Sequence, residues 1–409
     1  MTSLPDVLRA FETQFWMPDV AMVEIVLGTV AANRLPGDPV WTWLVGPPSS
    51  GKSETLASVS RLSEVHRVSS FTEAGLLSGS PGNKGSGGLL REIGERGLLV
   101  FNDLSVLLGE HGSTRPRTFA LLRELYDGEL TRQLGTDGGQ RFHWRGKIGV
   151  LGAVTEAVDV LDIGLMGERI VYYRLPLISV TEERTTGLFA LENVGHQQEA
   201  RAKIAETVER FFADLVLPEE VGMPDAAGQD RLVDLATLGT RCRSPVVRDS
   251  YRREIDLVPQ PERVPRLLAQ LGQLRGGLLA VGVKSDEVWR ILGKVALDGM
   301  TAGRRRVLDT LTGGRFDRAT STVAGFARLP ETTARRHLED LAAIGVVEHT
   351  GGFPDRWRLA EWVADSWQQL DLPTGNVSSV TSARVSQDLR DQVAALAPGE
   401  LTRTKGTSP

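Results

Sequence analysis

Residues 46–53 read Gly-Pro-Pro-Ser-Ser-Gly-Lys-Ser, and this stretch decides the fold. It satisfies G-x-x-x-x-G-K-[ST], in which backbone N–H groups cradle phosphates, a lysine reaches the β- and γ-phosphates and a hydroxyl holds Mg²⁺. Gly46 and Gly51 supply backbone angles that side chains resist. Pro47, Pro48, Ser49 and Ser50 form the body of the loop, and Lys52, Ser53 and Glu54 open the segment behind it. The flanks agree with this reading. Residues 39–45, Pro-Val-Trp-Thr-Trp-Leu-Val, are a short apolar run suited to a buried strand. Residues 52–62 have helix-like composition, so a helix N-terminus is expected to face the phosphates. The expected ligands are ATP and Mg²⁺. A Gly/Ser-rich surface loop is the plainer alternative, and it leaves Lys52-Ser53 without a reason.

Upstream, residues 4–15 and 20–32 carry apolar positions at three- and four-residue spacing, which predicts two helices ending before Pro36-Gly37; helices so placed often cover a nucleotide base, and packing between subunits is the plainer reading. Downstream, residues 67–71 suit a second strand. Residues 75–88 then carry six glycines, too many for regular structure; a mobile pore loop and a linker fit equally. Residues 97–103, Gly-Leu-Leu-Val-Phe-Asn-Asp, run four apolar residues into an acid. That describes a buried strand delivering Asp103 at its C-terminal end, where open α/β sheets bind ligands. Ser53 and Asp103 are therefore the expected metal-associated pair. A helix over 117–126, a turn at Asp127-Gly128 and hairpin arms at 129–134 and 140–144 follow. Residues 147–154 read as a core strand ending at Thr155-Glu156, and Gly167-Glu168-Arg169 precedes a last strand at 170–175.

This order resembles the AAA+ ATPases, in particular those with a β-hairpin before the sensor strand, such as enhancer-binding activators and minichromosome-maintenance-type helicases. The residues carrying the resemblance are 46–53, 98–103, 121–134, 149–155 and 167–175. The whole is also similar to ATPases carried by phages and mobile elements. The resemblance implies catalytic roles. Asp103 takes the place of the family's catalytic Glu, and Asn102 that of its metal-associated Asp. Asn is neutral and Asp is shorter than Glu, a departure that bears on hydrolysis more than on binding. Thr155 or Glu156 falls at the sensor that positions water. Arg169 falls near the arginine finger that acts on a neighbouring subunit, with Arg115 and Arg117 as rivals; a surface ion pair is the plain reading of Arg169. Residues 232–238 and 263–279 resemble the family's helical lid. Pro265 suits a first helical turn, and Arg266 matches the second sensor.

Residues 301–361 have another character. Helices are expected at 304–311, 320–327 and 331–344, then a hairpin of 346–349 and 356–359 around Gly351-Gly352-Phe353-Pro354-Asp355. Three helices and a wing resemble a winged helix. Leu338, Leu341 and Ile344 would face its core, leaving Thr332, Thr333, Arg335 and Arg336 for DNA, with Arg356 and Arg358 on the wing. Ten arginines face eight acids in this module, about +2. A protein-contact surface is the alternative.

Composition sets the bounds. The 409 residues carry a net charge of −5, so nucleic-acid contact requires a local basic surface. A single cysteine, Cys242, excludes an intrachain disulfide and a cysteine-rich zinc site. No apolar run approaches membrane-spanning length, and the cytoplasm is the expected location. The expected fold is an α/β P-loop AAA+ core (1–180) with a helical lid and linker (181–298), then a winged helix-turn-helix domain (299–370) and a flexible tail (371–409). The expected function is an ATP-dependent DNA-acting motor or remodeller working as a homo-oligomeric ring, such as a helicase, helicase loader or replication initiator of a mobile element. An ATP-switched transcription regulator and a nucleotide-gated interaction module are the alternatives, with a replication or transcription protein as further partner.

Overall fold

The computed structural model describes residues 1–69, 73–77, 88–104, 114–133, 141–160, 168–249, 251–313 and 316–372. Most of the glycine-dense stretch, the turn at 135–139, Gly167 and all but the first two residues of the expected tail lie outside the described residues.

Among the described residues, seven strands occupy the first half of the chain: β1 (Trp41–Val45), β2 (Val65–Arg67), β3 (Arg96–Phe101), β4 (Glu129–Gln133), β5 (Arg141–Arg145), β6 (Lys147–Val154) and β7 (Ile170–Arg174). Five of them form one parallel sheet in the order β2-β3-β6-β1-β7. Parallel sheets need both faces covered, and the period-2 pattern divides the side chains accordingly. Trp41, Trp43, Leu99, Phe101 and Val150 enter one core, where Phe119 and Leu122 of the Thr114–Asp127 helix cover them. Leu44, Leu98, Val100, Leu151 and Tyr173 enter the other, against the Ala21–Arg34 helix. The architecture is therefore α/β. β4 and β5 pair antiparallel outside the sheet, from Glu129↔Arg145 to Gln133↔Arg141.

The Ala21–Arg34 helix is buried almost throughout because the Pro265–Ala280 helix closes over its far side. The two backbones nearly touch: a Cβ on Gly277 would collide with the Gly28 carbonyl. Helices Val180–Glu192, Gln197–Asp214, Ala226–Cys242 and Ser285–Asp298 complete this region, with a small hairpin of β8 (Val247–Arg248) and β9 (Ile255–Leu257).

The C-terminal module contains helices Ala302–Leu311, Thr320–Ala327 and Glu331–Ala343. A three-stranded antiparallel sheet of β10 (Arg318–Ala319), β11 (Val347–Gly351) and β12 (Arg356–Leu359), in the order β10-β12-β11, lies against them. A last helix, Glu361–Gln369, ends the described chain. The module's core is continuous with the helical region before it. Two arginines at that junction are buried in ion pairs, Arg304 with Asp340 at 3.2 Å and Arg305 with Asp309 at 2.8 Å.

Several boundaries differ from expectation. The helix behind the loop stops at Ala57 and gives way to turns over 58–64, where the Ser58 hydroxyl donates back to the Thr55 carbonyl at 2.7 Å. The second strand lies at 65–67 rather than 67–71, because its parallel register is set by Leu98–Val100 of β3.

Candidate functional site

The Gly46–Ser53 loop sits at the C-terminal edge of the sheet, between β1 and the Lys52–Ala57 helix. Two of its residues have left-handed backbone, Ser49 at φ 61° and Gly51 at φ 82°. Glycine adopts that region freely, whereas serine there is uncommon and marks a constrained loop. The Lys52 side chain curls back into this turn. Its Nζ donates to the Gly46 carbonyl at 2.8 Å, the Pro47 carbonyl at 2.5 Å and the Ser50 hydroxyl at 3.0 Å. An ammonium has three donors, and here all three meet neutral oxygens of the loop. Burial pulls the Lys52 pKa below the ordinary lysine value, and the Asp103 charge partly opposes the shift.

Three strand ends meet at this edge. The Ser53 hydroxyl donates to the Asn102 carbonyl at 3.3 Å, just past β3. The Gly46 N–H donates to the Val154 carbonyl at 3.2 Å, which sets the loop beside the end of β6 and Thr155. Leu104 N–H donates to the Ala153 carbonyl at 2.9 Å and fixes the Asn102-Asp103 segment against β6. Asp103 is exposed beyond the strand. The Asn102 Oδ1 is buried and has no hydrogen-bond partner among the described residues. Ser53, Asn102 and Asp103 thus offer oxygen atoms, which is the donor set Mg²⁺ takes. Among the described residues no group of three or more His, Cys, Asp or Glu could hold a metal ion. A Mg²⁺ here would therefore depend on phosphate oxygens and water for the rest of its shell.

Glu54 behaves differently from the rest of the loop. Both its oxygens are taken by Arg201, at 2.6 and 2.5 Å, which clamps the Lys52–Ala57 helix to the Gln197–Asp214 helix. Its side chain is a brace, not a phosphate contact.

A cavity of about 490 Å³ opens in front of the loop. Residues 47 and 49–55 form one end, and Phe11, Phe15, Trp16 and Phe189 form an aromatic end, where the Trp16 and Phe189 rings lie 5.9 Å apart. The first helix lies where a base-covering helix was expected, whereas the Val180–Glu192 wall was not legible in the sequence. The walls of this chamber come from the first helix and the Val180–Glu192 helix, far apart in the chain, and the only local signal was a cluster of aromatics at 11–16.

Arg169 and Arg266 do not join this site. Arg169 precedes Ile170, whose register partner is Trp41 at the start of β1. At about 3.3 Å per residue, five-residue β1 alone puts roughly 13 Å between that edge and the loop. Arg169 is gripped by both oxygens of Asp127 at 3.0 Å, and its side chain is 11% exposed. Arg266 pairs with Glu262 at 2.6 Å. One turn later, Gln270 Nε2 donates to the Arg169 carbonyl at 2.7 Å, so both arginines belong to the N-terminal edge of the sheet. The contact expected of Arg266 with a phosphate on its own chain does not fit this placement. Arg115 and Arg117 lie in the first turn of the Thr114–Asp127 helix.

In the C-terminal module, Thr332 and Arg336 are exposed and Thr333 is half-buried at the start of the Glu331–Ala343 helix. Arg335 is paired with Asp355, which also meets His349 at 3.2 Å. Those two contacts hold the Asp355 carboxyl below its usual range. Arg358 is paired with Glu348 at 2.8 Å. Arg356 is exposed, and its guanidinium reaches the Asp317 carbonyl at 3.5 Å. The β8–β9 hairpin also touches this helix: Arg248 donates to the Arg336 carbonyl at 3.0 Å and to Glu339 at 3.0 Å.

No protein-family model matches this chain, and no curated protein does either. No described helix is long and apolar enough to cross a membrane.

Proposed function

We propose that this chain is an ATPase of the AAA+ type acting as an ATP-dependent DNA motor or remodeller, in the manner of a mobile element's helicase, helicase loader or replication initiator. The observation that carries the reading is Lys52, a buried cation held by neutral loop oxygens at the C-terminal edge of a parallel sheet, beside a cavity. An incoming γ-phosphate offers that ammonium a charged partner in place of carbonyls, a stronger hydrogen bond. The strand order supports the same reading: β6 separates β1 from β3, so Thr155 falls between the loop and Asp103.

The roles follow from position. Loop N–H groups and Lys52 hold the phosphates, Ser53 and Asp103 hold Mg²⁺, and Asp103 and Thr155 orient water. Arg169 lies too far away to serve its own loop and acts on a neighbour's γ-phosphate in a homo-oligomeric ring. Arg266, on the same edge, turns toward that neighbour as well. Assembly must then break the Arg169–Asp127 pair. The β4–β5 hairpin faces DNA or a partner in the pore. The C-terminal module works as a winged helix, with Thr332, Thr333, Arg335 and Arg336 in the groove and Arg356 and Arg358 on the backbone.

One observation favours a second reading. Arg335 and Arg358 are neutralised by acids of their own module, which suits a protein-contact surface in an ATP-switched regulator. The separating experiment measures ATP turnover with no DNA, with single strands and with duplex, alongside strand displacement. Turnover stimulated by DNA supports the motor. ATP-dependent assembly without DNA-stimulated turnover supports the regulator. Mixing Arg169→Ala with Asp103→Asn chains should restore part of the activity each lacks; a mixture that co-assembles and stays inactive rules out action across an interface.

A further inference from the structure

The aromatic end of the cavity holds one polar group whose orientation is fixed. Asn193 caps the Val180–Glu192 helix and lines the chamber. Its Nδ2 donates to the Gln14 carbonyl at 3.0 Å and to the Phe189 carbonyl at 3.0 Å. Both neighbours are carbonyls and accept only, so the amide can be placed only one way round. Both N–H bonds are consumed. What remains is Oδ1, an acceptor, and no described residue donates to it.

The carboxylates near this end are already engaged. Asp19 accepts the Tyr173 hydroxyl at 2.6 Å and the Ala21 N–H at 3.3 Å. Glu54 is closed by Arg201, and the Thr186 hydroxyl donates its proton to the Glu182 carbonyl at 2.9 Å. Gln14 and Gln197 also line the wall. Gln197 accepts the Gly195 N–H at 3.1 Å, so its donors stay available. The chamber thus combines flat aromatic walls, an acceptor set by its own donors and an amide donor among its lining residues.

We propose that Asn193 is the base-reading residue of this site, its Oδ1 accepting a hydrogen bond from the 6-amino group of adenine. This rests on the nucleotide reading above and adds to it a residue that selects the base. A purine with an oxygen at position 6 would set acceptor against acceptor in a partly buried wall, and the unpaired group would cost affinity. Sites built around a hydrogen bond reject analogues lacking the partner more strongly than apolar pockets reject a change of size. Because Asn193 is clamped between the Phe11–Gln14 turn and the Val180–Glu192 helix, it is held in place before any base arrives.

The test varies the ligand before the protein. Binding of ATP, inosine triphosphate and purine riboside triphosphate to the full chain is measured by calorimetry. The three share phosphates and ribose and differ at position 6 (inosine also carries a proton on N1). The expected result is ATP about tenfold tighter than either analogue, the size of one lost hydrogen bond in a semi-buried site. In Asn193→Ala the three should converge, with ATP losing that factor and inosine triphosphate changing less than about threefold. Equal affinities in the parent protein overturn the role of Asn193 and leave the phosphate site standing. Binding of all three that fails together overturns the nucleotide reading itself. If Asn193→Ala is poorly folded, the parent's analogue series decides alone.

Discussion

Two regions of this molecule present cations, and they hold them in opposite ways. At the loop, Lys52 is surrounded by two carbonyls and a hydroxyl. In the C-terminal module, Arg335 and Arg358 face the carboxylates of Asp355 and Glu348. A cation parked on neutral dipoles keeps its charge available to an anion. A cation closed by a carboxylate must first break an ion pair, although solvent and salt screen exposed pairs of that kind. On the proposed reading the loop is thus preset for phosphate, while the helix and wing would need rearrangement before holding a nucleic-acid backbone. Exposed Arg336 and Arg356 fall between these cases, each with its side chain outside any ion pair among the described residues.

The contrast can be broken from the loop side by separating binding from turnover. Asp103→Asn is expected to leave ATP affinity within about threefold and to lower turnover by at least about a hundredfold, the scale of losing a catalytic carboxylate. Steady-state hydrolysis beside equilibrium binding reads both. Unchanged turnover would remove Asp103 from the chemistry.

From the C-terminal side, Arg335→Ala with Arg336→Ala should weaken duplex binding about tenfold, on the scale of 1–3 kcal/mol per base-reading arginine, and leave ATP binding intact. Anisotropy with labelled duplex at several salt concentrations measures it, and affinity should fall steeply with salt. A double variant that binds like the parent, or a parent with no salt dependence, makes the module a protein-contact surface.

A smaller effect sharpens the same point. Asp355→Ala removes the acid that closes Arg335. Duplex affinity should then rise by a few-fold, the worth of a surface ion pair. No change would mean that Arg335 does not meet the duplex, whatever its partner.

The smallest expected effect concerns a second, half-buried lysine. Lys147 also rests on carbonyls, those of Leu35 at 2.7 Å and Ala32 at 3.3 Å, but at the opposite sheet edge from the loop. Burial and then Arg96 pull its pKa down to about 8 from 10.5. Between those values the unfolded chain binds the proton and the folded chain does not, so stability should rise with pH over that window. Lys147→Met should flatten this rise in denaturant unfolding measured from pH 7 to 10.5. An unchanged slope would place its origin elsewhere.

How much was readable in advance depends on the range of the interactions. The loop, the β3 strand before Asn102-Asp103 and the Thr320–Ala327 helix are local patterns, and each formed where the chain announced it. Leu338 and Leu341 are fully buried as their spacing requires. The helices expected at 304–311 and 331–344 and the arm at 346–349 differ at their ends by a residue or two, which is the ordinary fraying of ends, while the 356–359 arm formed as expected. The β10 strand was not readable, because two residues become a strand only through pairing with β12. The pairing of Arg335 with Asp355 was also hidden. Helical spacing sends Arg335 outward, but only the folded hairpin brings an acid twenty residues away against it. The same holds for Arg266, whose motif placed it near phosphate and whose helix runs along Ala21–Arg34 to the other edge. The aromatic chamber needed two helices separated by more than 160 residues to meet.

The central claim is that Lys52 holds its charge ready for a phosphate. Calorimetric titration of ATP with Mg²⁺ into the full chain and into Lys52→Ala tests it most directly. The account predicts saturable binding to the parent and at least about a hundredfold loss in the variant, the scale of removing charge-assisted hydrogen bonds. Equal affinity in the two proteins, or no saturable binding to the parent, would contradict it.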